Sequence, residues 1–373
     1  MSQYRHSLGL RLLQLACRVG NHWERARGTD TSSDMASFIP FYKSLWAGAA
    51  RAIAAEFMEV AEGFWRVRLG SDSTLINNYI VQVDDPVVLR VAGHKALCHR
   101  LLRNEGLPVP DHQTYRINEI KKAQVFMRKY PEGYFVVKPA VGTSGGRGVT
   151  LYVRSPRECR RASIRASLLS DQVIIERLIV GQCYRLLFLD GEMIDAVRQR
   201  GVCVTGDGKS SIRQLLKERC AVSGAPFNAS FYDNPDYRAT IAAQGLRDGF
   251  VPELGRTVLV KSCSAWDGKR ADIRTDYDEC VTNLICAELQ AEAARAVKAL
   301  RSRFASVELV TRNPAVSLEK SGGAIIEINT TPGLHRHCFG TGNGDGGKLA
   351  LDVLSYLMRE ARAKAGVSRS FTS

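Results

Sequence analysis

The 373-residue sequence has no uncharged apolar run near the ~20 residues needed to span a bilayer, which argues against an integral helical membrane protein. The closest approach, Ala47 to Trp65, is interrupted by Arg51, Glu56, Glu59 and Glu62 and reads as a buried amphipathic helix. No Cys-x-x-Cys pair occurs among the ten scattered cysteines. That spacing argues against a structural zinc cluster and a disulfide framework, and fits reduced thiols in a cytoplasm. The His-Arg-Asp and Asp-Phe-Gly elements of a protein kinase are missing. Leu8 to Cys17 carries Arg11 in the middle of what would be the apolar core of an export signal, so a basic extension or a docking helix is the better reading.

Apolar residues are not scarce: 45% hydrophobic content belongs to a folded chain, large enough for two or three units. Basic residues are in surplus, 52 Lys+Arg against 38 Asp+Glu, for a formal net charge of +14. The densest stretches, Arg154 to Arg165 and Arg198 to Arg219, lack interleaved aromatics for base stacking. The surplus therefore favours nucleotide phosphates and acidic small substrates over a nucleic-acid surface.

The pattern along the chain is mixed α/β. Pro40 is expected to open a helix running to Glu62, after a short turn capped by Ser32 to Asp34. Phe64 to Leu69 and Tyr79 to Val83 alternate like strands, with a turn over Gly70 to Ser73. His94 to Asn104 reads as a helix closed by Gly106. Short strands are expected over Tyr134 to Pro139, Val149 to Val153, Val173 to Leu178 and Tyr184 to Leu189. Asp190-Gly191 is a hairpin turn into Met193 to Arg200. Gly206 to Gly255 suggests loops and short helices, Cys280 to Phe304 a long helix, and Gly347 to Ala365 a last one. Ser306 to Val310 and Ala324 to Asn329 look like two paired strands.

Two places carry chemistry. Lys138 ends a strand and is followed by Gly142, Thr143, Ser144, Gly145, Gly146, Arg147 and Gly148, a hairpin whose backbone amides can approach an anion closely. The Gly-x-Gly-x-x-Gly order is absent from that loop and no helix follows it, so it is not a dinucleotide fingerprint. Gly208-Lys209-Ser210 resembles the end of a P-loop, but Cys203 stands where its first glycine belongs. Near the C-terminus, period-2 alternation puts Glu327 and Asn329 on one strand face, with Ile326 and Ile328 on the other. Glu308 sits among apolar residues on the neighbouring strand. Two carboxylates and an amide oxygen supply the hard ligands that Mg²⁺ prefers, and together with the lysine and glycine loop they imply phosphoryl transfer from a nucleotide.

These elements, in this order, resemble the ATP-grasp superfamily, and within it the ATP-grasp region of cyanophycin synthetases and similar carboxylate–amine ligases. The matching pieces are His94-Lys95-Ala96-Leu97 with Gly106 to Pro110, Val137-Lys138-Pro139 with the glycine loop, and Ile175-Glu176-Arg177-Leu178-Ile179-Val180-Gly181. Tyr184 to Leu187, Gly206-Asp207-Gly208 and Glu327 to Gly333 complete the set. The resemblance implies an ATP-grasp fold, two antiparallel-sheet subdomains clasping ATP behind an N-terminal α/β lobe. Its units would be a basic extension (1–30), the lobe (31–92), a first ATP-grasp subdomain with a glycine lid (93–180), a second with a magnesium site (181–345), and a C-terminal helix and tail (346–373). A Mur-ligase-like half has no room, so a stand-alone enzyme is expected.

The implied activity is an ADP-forming ligase that makes an amide through an acyl-phosphate, on amino acids or a peptide; a D-alanine–D-alanine-type or glutathione-synthetase-type ligase and a non-catalytic ATP-binding module are the alternatives. Lys95 and Lys138 would meet the ATP phosphates under the loop Gly142 to Gly148, and Glu176, Arg177, Leu178 and Ile179 would form the hinge strand at the adenine. Glu308, Glu327 and Asn329 would hold one or two Mg²⁺, or Mn²⁺. Arg198, or Arg200 on the same face, would stabilise the acyl-phosphate, and Arg185 would serve a substrate carboxylate or brace its strand. Cys183 replaces the acid that often meets the ribose, His94 the aspartate before Lys95, Glu308 a more common aspartate, and Gly201 a proline. His335 and His337 are expected to orient their loop rather than catalyse. Residues 1–90 leave open whether they complete the first lobe or form a homodimer surface; no nucleic acid or membrane partner is expected.

Overall fold

The computed structural model describes residues 38–142, 146, 148–222, 235–261, 278–338 and 346–370. The expected turn at Ser32 to Asp34 and the basic extension lie outside them. Among the described residues no helix is long and apolar enough to cross a membrane.

Four antiparallel strands, β1 (Glu56–Ala61), β2 (Phe64–Leu69), β3 (Asp72–Asn77) and β4 (Ile80–Val81), follow helix α1 (Ile39–Ala52) as a meander. The helix expected to reach Glu62 therefore stops ten residues early. Glu56, Glu59 and Glu62 mimic helical spacing, but Ala54 (φ 54°) and Gly63 (φ 72°) take left-handed conformations that break it. β1 becomes an edge strand instead, with Glu56 accepting from Arg68 Nε at 2.8 Å across the pair. Trp65, Val67 and Ile76 turn inward against Tyr42 and Trp46 of α1, and the last helix, α11 (Gly346–Ser370), closes the same core with Val353, Leu354 and Leu357.

After helices α2 (Pro86–Ala92) and α3 (Lys95–Asn104) comes a second four-stranded sheet, in the order β5-β8-β6-β7. Its strands are β5 (His112–Tyr115), β6 (Phe135–Pro139), β7 (Thr150–Val153) and β8 (Val173–Arg177). Helices α4 (Ile120–Arg128) and α5 (Pro156–Ser167) cover one face. Phe126 and Met127 of α4, with Cys159, Ala162 and Ala166 of α5, recur at helical spacing and pack on Val137, Val173 and Ile175. Ser155 and Glu158 form a capping box that starts α5.

The central sheet has the order β13-β10-β9-β14-β15, built from β9 (Gln182–Leu189), β10 (Glu192–Gln199), β13 (Glu279–Cys280), β14 (Phe304–Thr311) and β15 (Ala324–Thr330). The β9–β10 hairpin turns at Asp190 and Gly191, both at positive φ as a type I′ turn requires. Helix α8 (Ala287–Ala299) lays Leu289, Ala293 and Ala296 on one face, and α3 adds Cys98 and Leu102 there. The long helix expected from Cys280 starts only at Ala287. Val281 N donates to the Ala196 carbonyl at 2.8 Å and Thr282 Oγ1 accepts from Ala196 N at 2.9 Å, so Glu279–Cys280 pairs with β10 as β13 and Thr282–Leu284 forms only a short 3-10 turn. Between them lies a small unit in which β11 (Val202–Thr205) pairs with β12 (Thr257–Lys261), a strand pair absent from the sequence expectation. Helices α6 (Ile212–Val222) and α7 (Pro235–Ala243) pack on it through Ile212, Tyr237 and Val258. Two short helices, α9 (Leu318–Ser321) and α10 (His335–Cys338), flank β15.

Candidate active site

A cavity of about 430 Å³ opens where the C-terminal half of β6 and the end of β8 face the open side of the central sheet. Lys138, near the end of β6, is 6% exposed and its Nζ lies 2.9 Å from Glu176 Oε2 on β8. It also donates to the Ile326 carbonyl at 3.4 Å. Lys95 arrives from the first turn of α3, whose start is stitched to the end of β6. Lys95 N donates to the Ala140 carbonyl at 3.0 Å and Gly142 N to the Gly93 carbonyl at 3.2 Å. His94 caps this helix, its Nδ1 accepting from Leu97 N at 3.3 Å, a role an aspartate would also fill. Lys95 Nζ ends 3.1 Å from Glu327 Oε1.

Glu308 and Glu327 are cross-strand partners on β14 and β15, and Arg185 on β9 is Glu308's partner on the other side. Arg185 Nη1 pairs with Glu308, and Asn329 Nδ2 donates to the same Oε1 at 3.3 Å. Three cation–carboxylate pairs, from five strands and a helix, thus meet in one cavity wall. Between Glu308 and Leu309 the β14–β15 register slips. The bulge overturns the expected alternation: Ile325 and Ile328 lie in the core, while Ile326 lines the cavity beside Glu327.

The two facing glutamates are held at different acidities. Burial pushes Glu308 above the usual carboxylate range, with Arg185 opposing and Glu327 adding to the rise. Burial acts on Glu327 in the same direction, but Lys95 and Lys138 outweigh it and hold that carboxyl low. Lys138 stays charged because Glu176 and Glu327 outweigh its desolvation. Among the described residues no cluster of three or more His, Cys, Asp or Glu is arranged for a metal. The donor set Glu308, Glu327 and Asn329 is nevertheless all hard oxygen, which suits Mg²⁺.

The other expected residues fall around this wall. Arg177, Leu178 and Ile179 line the far end of the cavity with Pro110. Gly146 borders it, and Gly142, Gly146 and Gly148 all take positive φ. At Gly148 a Cβ would stand within 3 Å of Leu169 and Pro139. Thr143, Ser144 and Gly145 lie outside the described residues. Arg198 and Arg200, expected on one face, both reach the same carboxylate, Glu279, Arg200 at 2.8 Å. β10 ends at Gln199; Arg198, opposite Tyr184, is not part of the cavity wall, whereas Arg200 is. Cys183, expected to stand in place of a ribose-binding acid, lines the cavity.

The turn after β15 is strained and clamped. Thr331 has φ 55°, and a Cβ on Gly333 would come 2.3 Å from the His335 ring. His335 Nδ1 lies 2.7 Å from Tyr42 Oη of α1, and His337 Nδ1 2.6 Å from Asp195 Oδ2 of β10. Burial pushes His335 down to about 3, so its ring is neutral. Sequence reasoning missed Tyr79, which brings the N-terminal lobe to the cavity, and His99, buried behind Lys138. Tyr79 left no signal; His99 stands four residues after Lys95, on the same helix face.

No family model matches the chain. It is similar to a cyanophycin synthetase from Trichormus variabilis, 26% identical over 339 residues that cover 83% of this chain and 36% of that protein. It is also similar to the glutathione biosynthesis bifunctional protein GshAB of Clostridium perfringens, 23% identical over 284 residues, 73% of this chain and 35% of the other. The chain thus spans a little over a third of these curated relatives. A crystal structure of a bifunctional glutathione synthetase from Pasteurella multocida superposes with a TM-score of 0.53 at 19% identity, over 84% of this chain and 43% of that one; the likeness concerns the fold alone.

Proposed function

We propose that this chain, which belongs to the ATP-grasp ligase superfamily, joins a carboxylate to an amine with ATP as the energy source, forming an amide bond and releasing ADP. The carboxylate would first become an acyl-phosphate, which the amine then attacks. The observation that carries this reading is the convergence of Lys95–Glu327, Lys138–Glu176 and Arg185–Glu308 on one cavity.

In that setting Lys138 and Lys95 would meet the phosphates, as fixed and largely buried cations. Arg177, Leu178 and Ile179 would frame the base, and the backbone at Gly146 would face the phosphates. Arg185 would favour the charged form of Glu308 against the effect of burial, and Arg200, in the wall, is better placed than Arg198 to reach the transferred group. Glu308, Glu327 and Asn329 would hold one or two Mg²⁺, which when bound would neutralise phosphate oxygens. The names of the relatives support amino acids or a short peptide as the substrate class.

An ADP-release screen over pairs of amino acids and short peptides, with Mg²⁺, tests this. ADP should form only with a matched pair, and should vanish in Lys138→Ala and Glu327→Ala. ATP binding without ADP release across a broad panel would turn the reading to a non-catalytic ATP-binding module.

A further inference from the structure

His99 of α3 touches the same two groups that hold Lys138. The residue is 1% exposed, with Nε2 3.3 Å from the Ile326 carbonyl and Nδ1 3.7 Å from Glu176 Oε1. A neutral imidazole owns one N–H and one lone pair, yet both of these neighbours are acceptors. Nε2–H serves Ile326, so Nδ1 meets Glu176 Oε1 lone pair to lone pair; both atoms are buried with no hydrogen-bond partner among the described residues. The charged or titratable groups facing the ring are Glu176 on β8, Lys138 on β6 and His112 on β5, whose ring lies 5.0 Å away. Burial pushes His99 down to about 4; Glu176 opposes this, while Lys138 and His112 add to it. The arrangement is sustainable only while Lys138 neutralises Glu176.

Resting on the ligase reading, we infer that His99 is a positioning residue for Lys138, and that it takes up a proton when a nucleotide phosphate draws Lys138 away from Glu176. The proton comes from solvent; the Nδ1 lone pair becomes an N–H bond that donates to Glu176 Oε1, and no other covalent bond changes. His99 then replaces Lys138 as the counter-charge, so the buried carboxylate always has a partner. Proton binding and nucleotide binding become reciprocal. The ring binds protons more tightly in the complex, so nucleotide affinity rises as the pH falls from neutrality toward the free protein's own value.

Titration calorimetry of Mg²⁺ with a non-hydrolysable ATP analogue, at about pH 6 in buffers of different ionisation enthalpy, reads the protons taken up. Wild type should take up more than His99→Gln, which keeps a hydrogen-bonding side chain but cannot ionise. In His99→Leu the KM for ATP should rise on the order of tenfold with kcat nearly unchanged, and His99→Gln should recover most of that loss at neutral pH. Equal proton uptake in wild type and His99→Gln would overturn the inference, as would an unchanged KM in His99→Leu. Should His99→Leu fail to fold, the wild-type and His99→Gln comparison decides alone. If wild type binds nucleotide and Lys138→Ala does not, while the His99 variants match wild type, this inference falls and the ligase reading stands; if wild type binds none, both fall.

Discussion

Removing the Lys138 ammonium should do two separable things. The pair it makes with Glu176 is buried on both sides, at 6% and 2% residue exposure and 2.9 Å separation. Lys138→Met takes the ammonium away from Glu176 on β8 and leaves only a protonated His99 to replace it; breaking a buried pair from one side costs about 3–5 kcal/mol, of which proton uptake by His99 offsets a part. Replacing both members by apolar side chains of similar volume is close to neutral, so Lys138→Met/Glu176→Leu should recover most of that loss. Activity should not follow stability: both variants should fail to release ADP, because the cation that meets the phosphates is missing in each. Urea unfolding followed by circular dichroism gives the stability cycle, and the ADP assay gives the other half. The reasoning is refuted if the single variant is as stable as wild type, since the pair would then be solvated. It is refuted equally if the double variant regains ADP formation.

Gly181→Ala should destabilise by roughly 2 kcal/mol or more, because its Cβ would stand 2.5 Å from the Thr311 carbonyl carbon and push β9 off β14 at the cavity rim. The readout is the urea midpoint, and an unchanged value would mean the strands part freely. Asp195 is held below the usual range although burial works against it, chiefly through the His337 hydrogen bond. A carboxylate depressed in the folded state lends stability that is complete above its unfolded value of about 4 and is lost as the pH falls through the folded one. Wild type should therefore lose stability on the acid side of that window. Asp195→Asn should be less stable at neutral pH, with a shallower acid decline; parallel curves for the two proteins would count against the assignment.

Much of the site was legible because its residue types have few other uses. A lysine ending an apolar strand before a glycine-rich turn, and two glutamates among isoleucine and valine, announce buried charge on a sheet. That Glu327 and Asn329 share a face followed from alternation; the register that sets Glu308 opposite Glu327 did not. Alternation misled at Ile326, where a one-residue bulge reversed the facing of the side chain. Bulges depend on what the neighbouring strands do, which a local pattern does not contain. The helix expected through Glu62 failed for a related reason: an exposed edge strand with glutamates three apart has the same polar rhythm as a helix, and only the left-handed residues at Ala54 and Gly63 tell them apart. His99 was invisible because its meaning lies in Glu176 and Ile326, far along the chain.

The aromatic centre formed by Tyr42, Trp46 and Trp65 is sealed by Val353, Leu354 and Leu357 of α11, some three hundred residues later. During synthesis α1 and the meander must therefore wait, Trp46 and Trp65 uncovered, until α11 has emerged. Loop-closure entropy across that span makes this docking a late event. Loss of α11 would uncover an apolar, aromatic surface that also reaches Leu187, Leu189 and Phe304 of the central sheet, and so invite aggregation.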